Sequence, residues 1–330
     1  MPQIFRPKLI GTLDYSSTQR KTIELDRDGI LSRLLINVRY TLTGAASAAT
    51  APMFQTLARI MRRVEVKVGG RDTIVNASGE MLSAMAHYDY GAPADGMDDS
   101  VVLTENAATS YDVTIPIDFT LPRARRPDDT GLDLRRVTQA DLAITWANSD
   151  ATDLFTTNPA TISAVTCSLH GEYMLPDQAG AGTLVGVRQL TEIEKDIPAT
   201  SSNFKVTIDG RTGLVVRRAA VAVLDDKIGD AAIMDTNNGT IKLESGSFVF
   251  RHEESRVVKA KNRLDLGLES TIAGYYDLPF INHGELVQAI NTSNDVLPAD
   301  LELILDVTKE AGTNTCLVLV EAVRAPKFPV

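Results

Sequence analysis

The sequence predicts a mainly β protein built from two similar sandwich or jelly-roll domains in tandem. Three observations support this prediction: apolar and polar residues alternate in many segments, helical spacing is rare, and strand-like stretches of the first half recur in order in the second. Strands and helices do not alternate, so a doubly wound parallel sheet is not predicted. A chain of 330 residues has room for roughly two domains.

Strand signals dominate the first half. The strand-like segments are 29–42, 62–75, 110–121, 141–146 and 164–175. Valines at every second position of 62–75 alternate with charged residues, and Gly69-Gly70 predicts a turn between two strands. Pro116 indicates an edge strand or a bulge. In 141–146, Leu142, Ile144 and Trp146 share one face, which we expect to be buried in the core.

The second half repeats this character, and helical signals are few. Its strand-like segments are 214–224, 239–253, 274–281, 300–307 and 315–325. Two short segments have helical spacing instead. One, 52–64, begins behind Pro52, which suits a first helical turn, and the other, 78–88, begins with Ser78 as a candidate N-cap.

The strand-like segments form an internal repeat. The matched pairs, in chain order, are GILSRLLINV with GLVVRRAAVAV, VEVKVGGR with TIKLESGS, TIPIDFTL with YYDLPFIN, ADLAITW with ADLELIL, and VTCSLHGEY with NTCLVLVEA. The last pair aligns Cys167 with Cys316. Each match is weak, but their common order predicts a duplicated β-domain. The alternative is that any two β-domains share a rhythm of strands and turns.

The Gly- and Ala-rich segment 175–186 is the candidate linker between the two copies. The predicted domains are therefore an N-terminal arm plus the first β-domain over residues 1–183, and the second β-domain over residues 184–330.

Composition limits the function classes. The net charge of −10 argues against a surface devoted to nucleic acid. No apolar run approaches the roughly 20 residues that span a bilayer, and the N-terminal MPQIFRPKLIG lacks the apolar core of a secretory signal. We therefore expect a soluble protein that is made or assembled in the cytoplasm.

The sequence predicts no catalytic, cofactor-binding or metal-binding residues. The four histidines, His87, His170, His252 and His283, have no metal-ligand spacing. Cys167 and Cys316 form no CxxC pair, and we expect two buried thiols. The trio His252-Glu253-Glu254 is interpreted as a solvated strand end, because adjacent strand residues point to opposite faces.

Two further segments have weak alternative interpretations. VGGRD (68–72) lacks a phosphate-loop pattern and is interpreted as a turn. RPDDTGLD (126–133) carries Asp128, Asp129 and Asp133, which loosely resemble a calcium loop without its required spacing.

Basic residues concentrate in three places. RARR (123–126) and Arg62-Arg63 predict local or intersubunit ion pairs, with a phosphate-binding patch as the alternative. The N-terminal segment mixes Arg6, Lys8, Arg20 and Lys21 with apolar residues. It could lie along an anionic surface or a neighbouring subunit, or form a loosely ordered arm.

The stretches LARIMRRVEVKVGGRDTIVNASGEML (57–82) and FTLPRARRPDDTGLDLRRVTQADLAITW (119–146) resemble a known family. They are similar to the strand–turn–strand with its small helix, and to the edge strand, long loop and returning strand, of the double jelly-roll major capsid proteins. This family occurs in tailless icosahedral bacteriophages with an internal membrane and extends to adenovirus. The chain lacks the tower insertions of larger members.

The resemblance implies two eight-stranded jelly rolls in a non-enzymatic structural protein of the virion. It implies a homotrimer that forms a pseudo-hexagonal capsomer and contacts neighbouring capsomers. The shell would cover a lipid membrane vesicle around double-stranded DNA, with minor capsid or vertex proteins as further partners. Assembly would occur in the host cytoplasm, without a cofactor or sequence-specific nucleic-acid binding.

Two alternatives stay open from the sequence. One is a minor capsid, vertex or spike protein of the same kind of virion. The other is a bicupin-like or carbohydrate-binding protein, which would need a concave site with convergent polar groups.

Overall fold

The computed structural model describes residues 5–27, 29–45, 52–91, 101, 103–122, 130–157, 160–174, 184, 186–209, 213–236, 239–268, 270–280, 289–293 and 297–324. The chain divides into two compact units. The first comprises Met1–His87, Pro93–Leu190 and Ala325–Val330, and the second comprises Tyr88–Ala92 and Thr191–Arg324. The boundary predicted between residues 183 and 184 falls in a segment that is mostly outside the described residues, and it stays a prediction.

The first unit is a sandwich of two antiparallel sheets. Its strands are β1 (Phe5–Thr12), β2 (Arg20–Glu24), β3 (Ile30–Thr43), β4 (Met61–Val68), β5 (Asp72–Ala77), β6 (Ala108–Asp118), β7 (Leu132–Asp133), β8 (Ala140–Trp146) and β9 (Thr161–Met174). One sheet has the order β1-β9-β3-β6, with the short β7 also paired to β3, and the other contains β2-β8-β4-β5. Helix α1 (Gly79–Tyr90) connects β5 towards β6, and 3-10 helices occupy Thr56–Ile60 and Leu134–Arg136.

The second unit repeats this plan. Its strands are β10 (Val187–Asp196), β11 (Ser201–Asp209), β12 (Val215–Asp225), β13 (Ile228–Gly229), β14 (Thr240–Ser245), β15 (Phe248–Glu254), β16 (Tyr275–Pro279), β17 (Ile290–Asn291), β18 (Leu301–Val307) and β19 (Asn314–Arg324). β10 carries the boundary between the units. Strands β10, β19, β12 and β16 are neighbours in that order, and β11-β18-β14-β15 form the other sheet. Helices α2 (Ala232–Asp235) and α3 (Ser255–Leu266) complete the unit.

The two units have identical strand order. In the first sheet of each unit, the order β1-β9-β3-β6 corresponds strand by strand to β10-β19-β12-β16. In the other sheet of each unit, the order β2-β8-β4-β5 corresponds strand by strand to β11-β18-β14-β15. All five sequence matches join strands that are equivalent in this sense, namely β3 with β12, β4 with β14, β6 with β16, β8 with β18, and β9 with β19. The predicted repeat and the predicted pair of eight-stranded sandwiches are confirmed.

The core of each unit lies between its sheets, as the alternating pattern predicts. In β8 the side chains of Leu142, Ile144 and Trp146 are fully buried. In the second unit, Val221 of β12 and Leu303 of β18 belong to one continuous apolar cluster that includes residues from both sheets. Burial of such side chains is the main favourable contribution to folding.

Turns and edges also follow the sequence signals. Gly69 and Gly70 have φ angles of +58° and +68°, so two consecutive left-handed residues close the hairpin between β4 and β5. Pro116 lies in β6, which ends its sheet. An edge strand tolerates proline because the missing N–H faces away from the ladder.

The helical predictions are half right. Ser78 caps α1, with its hydroxyl accepting a hydrogen bond from the Met81 backbone N–H at 3.3 Å. The helix predicted over 52–64 is wrong, because only Thr56–Ile60 is helical and Met61 already begins β4. The apolar residues of this segment lie first in a buried 3-10 helix and then on the buried face of strand β4, in which buried and partly exposed residues alternate.

The N-terminal segment is not a loosely ordered arm over residues 5–12. It forms β1, which pairs antiparallel with β9 from Phe5 opposite Met174 to Thr12 opposite Ser168. Backbone hydrogen bonding to the sheet supplies the order that side-chain patterning alone did not indicate. Within the described part of the chain, no helix is both long and apolar enough to cross a membrane.

Candidate interaction surface

The two cysteines are buried core residues. Cys167 of β9 and Cys316 of β19 are free thiols at equivalent places in the repeat. Burial raises the pKa of each thiol to about 12. Both therefore stay protonated at neutral pH and lack the thiolate that nucleophilic or metal-binding chemistry needs.

The histidine–glutamate trio is an exposed strand end with local ion pairs. His252 is exposed on β15, and the Glu253 carboxylate pairs with Arg251 at 2.7 Å and with Lys261. Burial alone would raise the pKa of Glu253, but the hydrogen bonds from Lys261 and Arg251 outweigh it and hold the pKa below its usual value. Across the described ranges, no group of three His, Cys, Asp or Glu residues is placed to hold a metal ion. His283 lies outside those ranges.

Asp133 has a structural role. Its carboxylate binds the Arg135 guanidinium at 2.8 and 2.9 Å and accepts a hydrogen bond from the Arg135 backbone N–H at 3.2 Å. It thereby caps the 3-10 helix Leu134–Arg136. Asp128, Asp129 and the RARR segment lie outside the described residues.

The other basic candidates have acidic or polar partners nearby. Arg62 lies 3.7 Å from Asp153, and Arg63 donates to Asn76 at 2.6 Å. In the N-terminal segment, Lys8 pairs with Asp26 at 2.9 Å, and Arg20 pairs with Glu65 at 2.8 Å. The contact of Arg62 agrees with the interpretation of Arg62-Arg63 as local ion pairs, and Lys8 and Arg20 have local acidic partners in the same unit.

A buried ion cluster lies within the second unit. The guanidinium of Arg218 on β12 donates two hydrogen bonds to Asp89, at 2.7 and 3.1 Å, and one to Glu321 on β19 at 2.8 Å. Asp277 on β16 lies 3.6 Å from the same guanidinium, and Arg217 also pairs with Glu321. Arg218 is 8% exposed. These residues are far apart in sequence, and sequence reasoning did not identify them.

Asp277 is the unusual member of this cluster. Burial raises its pKa to about 6, Arg218 acts in the opposite direction, and the neighbouring carboxylates of Asp89 and Glu321 raise it further. One of its oxygens, Oδ1, is buried without a hydrogen-bond partner among the described residues. The geometry of the cluster fits a structural support for the sheet.

Exposed apolar side chains concentrate on one segment of the second unit. Seven large hydrophobic side chains are exposed in the described residues, and four of them, Phe248, Val249, Val257 and Leu264, fall between residues 248 and 264. This segment comprises the edge strand β15 and helix α3. Single exposed apolar residues are ordinary, but this concentration along one segment makes β15 and α3 the candidate interaction surface.

Helix α3 carries the most exposed of these residues. Val257, Ala260, Lys261 and Leu264 are spaced as i, i+3, i+4 and i+7, so they share one side of the helix, which we name the outer face of α3. Val257 is 42% exposed and Leu264 is 82% exposed. The opposite side, with Ser255, Val258 and Asn262, is buried. The outer face is therefore an apolar surface with one lysine.

No family model and no curated protein matches the chain. Solved structures do resemble it. A chain from the atomic structure of Sulfolobus Turreted Icosahedral Virus has a TM-score of 0.73 at 14% identity, covering 98% of this chain and 91% of that chain. The major capsid protein from bacteriophage PM2 has a TM-score of 0.63 at 9% identity, covering 99% and 100%.

A third similar structure is the PBCV-1 virus capsid, with a TM-score of 0.64 at 12% identity, covering 98% of this chain and 96% of that one. At these identities the likeness concerns the fold. The fold of this chain is the double jelly roll, as the sequence predicted, and the similar structures span nearly its full length.

Proposed function

We propose that this chain is the major capsid protein of an icosahedral virion, a structural protein without catalytic activity. The observation that carries the proposal is the duplicated topology, in which one chain holds two eight-stranded sandwiches of identical strand order. Three such chains supply six similar units around one axis, which gives a pseudo-hexagonal capsomer from a trimer. The structural likeness to viral capsid proteins over nearly the whole chain supports this function.

The wider assembly follows from the same resemblance. Capsomers would tile an icosahedral shell over a lipid membrane vesicle that encloses double-stranded DNA, together with minor capsid or vertex proteins, after assembly in the host cytoplasm. The net charge of −10 and the local ion pairs of Lys8 and Arg20 argue against sequence-specific nucleic-acid binding by this chain.

The test is the mass and shape of the purified chain. Light scattering should give a stable particle of three times the 35.7 kDa chain mass, and electron microscopy should show hexagonal outlines. A trimer of this kind requires interfaces well above roughly 2,000 Å² in total. A strict monomer at high concentration, with no particles formed, would exclude the function. In purified virions the chain should dominate a stained gel, whereas a minor or spike protein would be a weak band.

A further inference from the structure

Helices α1 and α3 occupy the same position in the repeat. Each has twelve residues, each follows the second strand of an equivalent hairpin, and each precedes an equivalent strand, β6 or β16. The two helices can therefore be compared residue by residue from their first positions. Val257, Ala260, Lys261 and Leu264 of the outer face correspond to Met81, Ala84, Met85 and Tyr88 of α1.

The matched positions differ sharply in exposure. All four α1 residues are buried, and Tyr88 is 0% exposed where Leu264 is 82% exposed. On the opposite side, Leu82 and Ala86 of α1 correspond to Val258 and Asn262 of α3, and this side is buried in both helices. Each helix thus has one buried side, but only in α1 is the second side buried as well within a single copy.

The last turn of α1 shows the surroundings of the end of its second side. Tyr88–Ala92 belong to the second unit rather than to the first, in which α1 begins. Within that unit the Tyr88 hydroxyl accepts a hydrogen bond from the Ile272 backbone N–H at 3.3 Å, and its ring packs on Tyr275 with centroids 4.7 Å apart. The repeat therefore predicts that α3 ends in the unit that follows the second one.

We propose that this following unit is the first unit of a second copy of the chain, and that it covers the outer face of α3. The inference rests on the proposed function, in which six similar units from three chains form a ring. In such a ring the unit that follows the second one belongs to another copy, so α3 gains the surroundings of α1 only across a subunit boundary. Charge supports a second copy as the occupant. Helix α3 carries four cationic residues and one acidic residue, of which Lys259 and Lys261 pair with Asp235 and Glu253, while the chain as a whole carries a net charge of −10.

The direct test is a photo-cross-link from position 264. A photoreactive phenylalanine analogue replaces Leu264, and copies with light and heavy nitrogen isotopes are mixed before assembly. Mass spectrometry of the products then distinguishes links within a copy from links between copies. We expect links between copies that reach residues 1–190. Links confined to one copy, links to a different protein, or the absence of links in an intact trimer would overturn the proposal.

A pair of variants tests the contribution of the outer face to assembly. Val257→Gln with Leu264→Gln keeps helix-compatible residues but removes two large apolar side chains, which should weaken trimer association at least about a hundredfold. The control, Asp265→Gln, alters an exposed residue next to Leu264 that lies off the outer face. Circular dichroism establishes that both variants remain folded, and light scattering over a dilution series measures association.

The outcomes separate this proposal from the proposed function. If the wild-type chain is a trimer and the double variant dissociates while the control does not, both are supported. If the wild type is a trimer and the double variant associates as tightly, only the assignment of α3 fails. A monomeric wild-type chain would overturn both.

Discussion

Arg218 lies directly across the sheet from Glu321, at the position where Arg33 lies directly across from Glu172 in the other unit. Each arginine also approaches an aspartate of the neighbouring strand, Asp277 at 3.6 Å or Asp118 at 2.6 Å. The arginine–glutamate pair thus recurs in both units, whereas the aspartates differ in position, since Asp118 lies directly across from Arg33 but Pro279 lies directly across from Arg218. The environments of the two arginines also differ, since Arg218 is buried whereas Arg33 is about a third exposed.

This difference predicts unequal effects of the same substitution. Arg218→Met removes the guanidinium that the buried carboxylates of Asp89, Asp277 and Glu321 share. We expect a loss of about 3–5 kcal/mol in the free energy of unfolding. Arg33→Met serves as the comparison and should cost less, about 1–3 kcal/mol, because it leaves a single buried carboxylate, that of Asp118, and Arg33 itself is about a third exposed. Urea denaturation measures both. Equal losses would contradict the assigned difference in burial.

Asp277 predicts a distinctive pH dependence. Its pKa rises from 3.8 in the unfolded chain to about 6 in the folded one, so between these values the folded state binds the extra proton. The contribution of Asp277 to stability is therefore present below about pH 4 and is lost as the pH rises through about 6. We expect Asp277→Asn to gain about 1–3 kcal/mol relative to wild type as the pH increases from 4 to 6.5.

Asp235→Asn is a control of opposite sign. Burial would raise the pKa of Asp235, but hydrogen bonds from Ser255 and Lys259 outweigh it and lower the pKa. Its stabilising contribution is present above its unfolded pKa and is lost in acid, as the pH falls through the lowered value. Its difference from wild type should be flat between pH 5 and 6.5. A parallel trend in both variants would contradict the assignment to Asp277.

Trp146 predicts a large core effect. Its indole is fully buried, its Nε1 donates to the Asp14 carbonyl at 3.1 Å, and its ring meets Tyr15 edge-on with centroids 5.7 Å apart. Trp146→Ala should lower the free energy of unfolding by about 3–5 kcal/mol. Chemical denaturation checks this value, and a loss below about 1 kcal/mol would show that the register of β8 is wrong.

The two thiols predict strong protection from modification. With a pKa of about 12 and buried side chains, Cys167 and Cys316 should not react with a disulfide reagent at pH 8 in the native protein. Both thiols should react in concentrated urea, and the amount of reagent consumed there gives the total number of free thiols. Rapid reaction of one thiol without denaturant would show that its strand is accessible.

The sequence predicted the strands well because each has one buried face, and a period of two records that face directly. Helix α3 was not predicted from the sequence. The residues after the strand-like segment 239–253 begin without a clear N-cap, so nothing in the local sequence marks the start of a helix there. The repeat held the missing signal. Placing α1 after β5 predicts a helix after β15, once the two hairpins are matched.

The remaining features depend on tertiary pairing. Asp89, Arg218, Asp277 and Glu321 have no local pattern, and only the alignment of β12 with β16 and β19 brings three of them together. The outer face of α3 could likewise not be identified before the helix itself. Its significance comes from comparison with the buried residues of α1, which requires the structure of both.

Both arginines sit beside a β-bulge. The register shifts between Leu31 and Arg33 in β3, and between Val216 and Arg218 in β12, so each strand holds one extra residue there. By contrast, α1 and β6 are separated by residues 91–107, whereas α3 and β16 are separated only by residues 267–274. A one-residue slip would turn every following side chain of a strand to the opposite face, so a difference in length is tolerated more easily in such connections than within a strand. The two units thus share the bulge beside the arginine while the connection after the helix differs in length.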